Sequence, residues 1–393
     1  MRKVLVLSPC DVFPPVHGSS TAIYHTLQFL SEANQVSALL CYLYSQRGEA
    51  DLFSPNLTIR YCRESTVDRL GYKGLMFNLF YYQAAWQAAR AFGPEVIQAE
   101  LLWTAPAALW LRRRLGVPVV LMQENVEYQK FVRFGMTSPL LKAVKWLEGR
   151  SCRAADRVVA LSEVDRDSMI DLYGVPADRF AIIPHGVDPD LFAYRPEGGA
   201  AARQKLGVAA GVPLLTFVGK LDYIPNIRAV ESIAERVAPA VWKRYPEARF
   251  VVVGQGAEAL TKYQRDGIIF AGFVDARAGA RPNLSDYLSA SDVVLVPLDS
   301  GSGTRLKIVE AASNARPVVS TRIGAEGQGF VDGEEILLTE KVDEAFVDAT
   351  LRLLADAGLR ERLGRAARAR VLAQYSWRAQ VHRMEQVYEE LGV

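Results

Sequence analysis

Histidine is scarce in this chain of 393 residues: His17, His25, His185 and His382 are the only four, and no two stand at ligand spacing. A zinc site built from sequence neighbours is therefore excluded. Cysteine is equally sparse. Cys10, Cys41, Cys62 and Cys152 are widely scattered, which excludes a disulfide framework and reads as buried free thiols of a reducing compartment. No uninterrupted apolar stretch approaches the roughly 20 residues of a membrane span. The run Val4–Leu7 after Met1-Arg2-Lys3 is too short for a leader peptide and reads as a first β-strand. An excess of one charge is missing too: 46 Lys and Arg face 44 Asp and Glu, which argues against a nucleic-acid partner. There is no Gly-x-x-x-x-Gly-Lys-Ser/Thr loop, hence no P-loop nucleotidase, and no Gly-x-Gly-x-x-Gly after the first strand, which weighs against a dinucleotide oxidoreductase. The expected location is the cytoplasm.

What is present is a rhythm. Half of the residues are hydrophobic, and the length fits two domains of roughly 150–200 residues. Short apolar runs (Val4–Leu7, Val36–Leu40, Val96–Gln98, Val117–Met122, Arg157–Ala160) alternate with amphipathic stretches such as Thr21–Ala33 and Leu140–Ala154, the pattern of βα units on a parallel sheet. Pro184–Val212, with its prolines and a charged turn at Arg195-Pro196-Glu197-Gly198-Gly199, reads as a linker. The pattern restarts at Leu214–Gly219 and continues through Arg249–Val253, Ile268–Ala271, Val293–Val296 and Pro317–Ser320, with a long helix expected over Ile227–Tyr245. The fold class is α/β: two Rossmann-like doubly wound domains facing across a cleft, residues 1–190 and 205–374, with a final helix in 375–393. Ligands of such sheets bind beyond the carboxyl ends of the strands.

The most informative segment is Asp292–Thr321. A buried strand ends at Pro297, a small-residue loop follows through Gly301 and Gly303-Thr304, and a helix opens at Arg305-Leu306-Lys307. Unpaired N–H groups and the dipole at a helix N-terminus attract an anion, and glycines let it come close. Arg305 and Lys307 add positive charge, so a phosphate or diphosphate is expected, with Glu310 one to two turns on as an acceptor for sugar hydroxyls. An ordinary strand-to-helix connection is the alternative.

Other loops follow strands on the same edge. Gly18-Ser19-Ser20 opens a helix and suits a phosphate or a sugar hydroxyl, or serves only as a cap. Lys220, after Gly219, would reach a phosphate or else is a solvated surface lysine. Gly254-Gln255-Gly256 is a tight turn, and Gly272-Phe273-Val274 would border a base. Glu124 and Asn125 end a strand in the first half, as polar equipment or helix caps, and Glu100 is a second acid on that edge. Asp165-Arg166-Asp167 and Asp188-Pro189-Asp190 read as capping or surface residues rather than metal ligands.

Taken in order, Pro14–Ser20, Ala155–Ser162, Pro184-His185-Gly186-Val187-Asp188, Gly219–Asn226, Val253–Gly256, Gly301–Ala311 and Pro317–Thr321 resemble the family-4 retaining glycosyltransferases of GT-B fold. The Gly-Ser-Gly-Thr-Arg-Leu-Lys form resembles a branch linked to exopolysaccharide and cell-surface glycan synthesis. The resemblance implies that Glu310 holds the ribose and that Gly303, Thr304 and Arg305 supply donors to the hexose. Leu306 and Lys307 would serve the diphosphate, Lys220 a phosphate, Gly18 and Ser19 the donor phosphates from the first domain, and Val274 would follow the segment beside the base. Three positions depart from the family. Ser302 stands where a glutamate is usual, Glu124 replaces a histidine that touches the transferred sugar, and Pro225 replaces a second phosphate-binding lysine; Arg305, Lys307 and Asp299 are expected to compensate.

The resemblance thus implies a retaining glycosyltransferase of hexosyltransferase type. A nucleotide-diphosphate sugar would be the donor substrate, a glycan or lipid-linked molecule the acceptor, and no cofactor or metal would be needed. Lys220, Arg305 and Lys307 would stabilise the leaving diphosphate electrostatically, and Glu124 would face the sugar. The aromatic stretch Leu70–Tyr82 and the basic segment Leu140–Arg153 would rest the first domain on an anionic membrane, or else are core helices with solvated basic faces. A nucleotide-sugar epimerase on the same fold would need acids and bases such as Glu100, Glu124 and His17 around the sugar, and would turn over without acceptor. A non-catalytic nucleotide- or glycan-binding subunit would bind without turnover.

Overall fold

The computed structural model describes residues 1–13, 15, 17–41, 54–63, 65–276, 279, 281–301 and 303–393. These form two compact units. Met1–His185 and Trp377–Val393, together with Gly303 and Thr304, make the first; Gly186–Gly301 and Arg305–Ser376 make the second.

In the first unit the chain runs through β1 (Lys3–Leu7), α1 (Gly18–Ala33), β2 (Gln35–Leu40), β3 (Leu57–Tyr61), α2 (Leu79–Phe92), β4 (Val96–Glu100) and α3 (Ala105–Leu115). It continues through β5 (Val119–Gln123), α4 (Glu127–Arg133), α5 (Pro139–Ala154), β6 (Arg157–Ala160), α6 (Glu163–Tyr173) and β7 (Phe180–Ile182). The seven strands are parallel in the order β3-β2-β1-β4-β5-β6-β7. Alternate residues of β1 enter different cores: Leu5 and Leu7 pack with Tyr81, Ala85 and Ala88 of α2, whereas Val4 and Val6 pack with Ile23 and Leu27 of α1. Burial on both faces is why the strands read as continuous apolar runs.

The second unit begins with a correction. The charged turn expected inside the linker is the start of α7 (Pro196–Leu206), with Pro196 in the first turn, where its missing N–H costs nothing. Gly198 and Gly199 are there for contact rather than for a turn. A Cβ on Gly199 would lie 2.9 Å from the Ser289 carbonyl, so only glycine lets α7 lie against its neighbour. The unit continues with β8 (Leu214–Val218), α8 (Ile224–Ser232), a π-helical turn at Ile233–Val237, α9 (Ala238–Trp242), β9 (Arg249–Val253) and β10 (Ile268–Gly272). The single helix expected over Ile227–Tyr245 is thus interrupted. Pro239 has no N–H for the carbonyl four residues back, and the ladder shifts register ahead of it. Then follow α10 (Leu284–Ala290), β11 (Val293–Val296), α11 (Leu306–Ser313), β12 (Val318–Thr321), β13 (Leu337–Thr339), α12 (Glu344–Ala355) and α13 (Ala357–Gln374). The parallel order is β10-β9-β8-β11-β12-β13. The last helix, α14 (Trp377–Glu390), returns to the first unit, where Val381, Met384, Val387 and Tyr388 complete the core around Val4 and Val6.

Strand order reverses between β1 and β4 in one sheet and between β8 and β11 in the other. The crevice at such a reversal is the general ligand site of doubly wound sheets.

Candidate functional site

In the second unit the reversal brings together two loops of distant sequence. After β8, Gly219 donates its N–H to the Val253 carbonyl (2.9 Å) and Leu221 to that of Gln255 (2.8 Å), pinning Lys220 between them. Gly254 permits this approach: its φ is +150°, and a Cβ there would come within 1.8 Å of the Gly219 oxygen. The Lys220 ammonium turns to Asp222 at 3.1 Å.

After β11, Gly301 and Gly303 adopt φ of +121° and +73°, and α11 opens with Arg305 at its cap position, whose side chain does not cap the helix N–H groups. The first N–H groups of such a helix have no intrahelical partner. The Arg305 guanidinium folds back against Gly301, and Gln328 donates its side-chain amide to the Arg305 carbonyl at 2.9 Å. Thr304 Oγ1 is buried without a hydrogen-bond partner among the described residues. Leu306 begins the helix. Lys307 places its ammonium 4.3 Å from the centroid of the Phe217 ring and donates to Asn226 Oδ1 at 2.9 Å. Burial, then the Arg305 charge, push the Lys307 amine down to about 7, with Glu310 opposing. Glu310, buried on the next turn of α11, is pushed up to about 7 by burial, with Lys307 opposing. Opposite perturbations of two groups one turn apart on a helix N-terminus mark a candidate ligand site.

Asp299, expected to act beside these cations, instead accepts from Ser300 Oγ (2.7 Å) and faces Arg228 of α8 at 3.6 Å. Val274 lies after β10, the outer strand, separated from β8 by β9. Ser302 falls outside the described residues.

The first unit carries a second polar cluster. Helix α1 starts at Gly18, earlier than its apolar pattern suggests. His17 caps it through Nδ1, which accepts from the Ser20 N–H at 3.1 Å, while Ser20 Oγ accepts from the His17 N–H at 3.0 Å. Gly18 and Ser19 therefore occupy the first turn. Glu124, buried just after β5, pairs with His185 Nε2 at 3.7 Å. Burial pushes its carboxyl up, but the His185 and Ser19 side chains and the nearby His17 ring together hold it below the usual range. The sequence thus places Ser19 and Glu124 apart, and the structure joins them. Glu100 behaves oppositely: burial raises it to about 8, with Glu124 adding to the effect and the Gln98 amide opposing it. Glu100, Glu124 and His185 line one cavity with Trp377, of about 20 Å³, room for about one water. Asp165 hydrogen-bonds the cap residue Ser162, Asp167 pairs with Arg166 at the surface, and Asp188 Oδ1 accepts from the N–H groups of Asp190 and Leu191.

The aromatic stretch Leu70–Tyr82 divides: Leu75 and Tyr81 are buried in the core of the first unit, Tyr81 on α2, while other side chains of the stretch face outward. Thr66–Phe77 is 3₁₀-helical, and Leu70, Phe77 and Leu79 are 60, 64 and 79 % exposed, as is Trp146 of α5 at 62 %. Among the described residues no helix is long and apolar enough to cross a membrane, and no group of three His, Cys, Asp or Glu side chains could hold a metal ion.

Sequence reading missed Asn226, Phe217 and Gln328. Asn226 reads as ordinary helix-start polarity because its partner Lys307 lies 81 residues later.

The sequence model described as Glycosyltransferase Family 4 matches residues 16–191, and that described as Glycosyl transferases group 1 matches residues 212–356. The chain has the sequence and the fold of a glycosyltransferase of GT-B type. It is 31 % identical over 259 residues to a D-inositol 3-phosphate glycosyltransferase of Kineococcus radiotolerans, an alignment spanning 61 % of this chain and 58 % of that relative. Another of that description, from Acidothermus cellulolyticus, is 28 % identical over 352 residues, 86 % of this chain and 77 % of the relative. Among solved structures, a sucrose-phosphate synthase from Thermosynechococcus elongatus superposes with a TM-score of 0.82 at 20 % identity, covering 100 % of this chain and 99 % of that one. Anabaena HepE in complex with UDP-glucose gives 0.75 at 16 % identity, covering 99 and 100 %.

Proposed function

We propose that the protein transfers a hexose from a nucleotide-diphosphate sugar to a glycan or lipid-linked acceptor, with retention of configuration, in cell-surface polysaccharide synthesis. The observation that carries this reading is the Lys307–Glu310 pair on the first turns of α11, at the strand-order reversal of the second sheet. Lys307, Arg305 and the N–H groups of Leu306 and Lys307 face the diphosphate in this reading, and Glu310 accepts from the ribose. Lys220 joins them once it leaves Asp222. Charge on the departing diphosphate is then met by fixed cations and dipoles, so stabilisation needs little reorganisation and no metal ion. Attack from the face of the departing phosphate retains configuration without a protein nucleophile. Glu124, held anionic by Ser19 and His185, is assigned to the hydroxyl groups of the sugar.

HepE was crystallised with UDP-glucose, which makes UDP-sugars the first donors to test. A peripheral contact with an anionic membrane belongs to the same reading. It rests on exposed Leu70, Phe77, Leu79 and Trp146, with Lys142, Lys145 and Arg150 on the helix that carries Trp146. Cosedimentation with anionic liposomes tests it.

The deciding experiment is thermal unfolding with UDP-, GDP- and ADP-sugars, wild type against Glu310→Ala. Stabilisation by one nucleotide class, lost in the variant, is expected. No stabilisation by any of them overturns the transferase reading, and stabilisation without transfer to any acceptor leaves a nucleotide-binding subunit.

A further inference from the structure

Asn226 has no part in the chemistry assigned so far, yet it stands where the two loops of the second unit meet. It lies in the first turn of α8 and is buried at 7 % exposure. Its side-chain amide makes two hydrogen bonds of opposite sense. Oδ1 accepts from the Lys307 ammonium at 2.9 Å, and Nδ2 donates to the Lys220 carbonyl at 2.8 Å. The orientation of the amide is not arbitrary. An ammonium can only donate and a backbone carbonyl can only accept, so reversing the amide would lose both bonds. Gly219 closes the remaining side: a Cβ there would come within 2.7 Å of Nδ2, so the residue before Lys220 must be glycine for the amide to sit where it does.

The amine that Asn226 holds is otherwise poorly provided for. Among the described residues Lys307 Nζ has no second hydrogen-bond partner and no ion pair; it has the Phe217 ring at 4.3 Å, Arg305 ahead of it and Glu310 on the next turn. An ammonium has three donors, so this one reaches its partner with two to spare.

Resting on the donor-site reading above, we infer that Asn226 is a positioning residue that aims the Lys307 amine, and with it the Lys220 loop, at the diphosphate of a nucleotide sugar. The choice of an amide follows from charge. A neutral carbonyl oxygen accepts from either the amine or the ammonium, so it fixes the position of Nζ without fixing its charge. A carboxylate in the same place would lock the ammonium into an ion pair and repel the incoming diphosphate. Bound diphosphate then supplies the negative charge that this amine lacks, and Lys307 takes up a proton as the donor binds.

The test is an NMR titration of lysine side chains labelled at Nζ and Cε, with Lys307→Arg to identify its resonance. Following that resonance separates Lys307 from Glu310 and Arg305, the charged groups that face it. Wild type is expected to titrate near neutrality without ligand, and at least one pH unit higher in Asn226→Asp or with UDP-glucose bound. Calorimetry is expected to show UDP-glucose affinity about tenfold weaker in both Asn226→Asp and Asn226→Ser, the size of a lost charge-assisted contact. Unfolding temperatures of both variants without ligand identify a purely structural defect, which would weaken binding without moving the resonance and would overturn the inference. A Lys307 resonance at the ordinary lysine position in wild type, or one unmoved in Asn226→Asp, also overturns it. If the resonance moves with Asn226 but no nucleotide sugar binds wild type, the donor-site reading falls and the aim at a diphosphate falls with it.

Discussion

Gln328 reaches across to Arg305: its side-chain Nε2 donates to the Arg305 carbonyl at 2.9 Å, while its backbone carbonyl accepts from the Tyr375 hydroxyl. A residue in the loop after β12 thereby fixes the cap of α11. Gln328→Ala removes the donor and leaves a buried acceptor with one bond fewer, a loss of about 1–3 kcal/mol. Urea denaturation is expected to show that loss. UDP-sugar affinity is expected to fall as well, because the first turn of α11 is no longer held in place.

Glycine at 254 is demanded twice, by its φ of +150° and by the Gly219 oxygen that a Cβ would meet at 1.8 Å. At Gly272 the φ is +69° but nothing lies within 4 Å of a Cβ. Gly272→Ala therefore carries only backbone strain, of about 1–2 kcal/mol. Gly254→Ala adds overpacking of about 1–3 kcal/mol to its strain and pushes the Lys220 loop away. Comparing the two variants by denaturation, with nucleotide affinity as second readout, separates strain from displacement. Equal losses in stability and unchanged affinity for both would contradict this account.

The Glu100 carboxyl, raised to about 8 by burial, gives the stability a pH dependence of known sign. Between the ordinary carboxyl range, near 4.5, and about 8, the folded protein keeps a proton that the unfolded chain releases. Stability contributed by this group therefore falls as pH rises through that window. Glu100→Gln cannot ionise, so its unfolding temperature relative to wild type is expected to climb steadily from pH 5 to about pH 8. A constant difference across that range would show that Glu100 is already ionised in the folded state.

The βα rhythm was legible because burial on both faces makes each strand a continuous apolar run, Val4 and Val6 on one side and Leu5 and Leu7 on the other. Arg305, Lys307 and Glu310 were legible as a group because they share two turns of one helix. Contacts made through space were not. Neither the 81-residue separation of Asn226 and Lys307 nor the pairing of Glu124 with His185 leaves a local trace. Gly198-Gly199 misled because glycine beside proline signals a turn as readily as close helix packing, and only the facing Ser289 backbone decides between them. Over 70–79 the composition left open which side chains are covered: Leu75 is buried, whereas Leu70, Phe77 and Leu79 are exposed.

Helix α14 belongs to the first unit although the whole second unit is synthesised before it. During translation the α14 share of the first unit's core, Val381, Met384, Val387 and Tyr388, is therefore missing from the sheet of β1–β7 until Trp377–Glu390 has left the ribosome. The second unit has all of its strands by then and can fold as domains generally do, as a unit while synthesis proceeds. The first unit is thus begun first and completed last, its core closed by residues synthesised after the whole of the second unit.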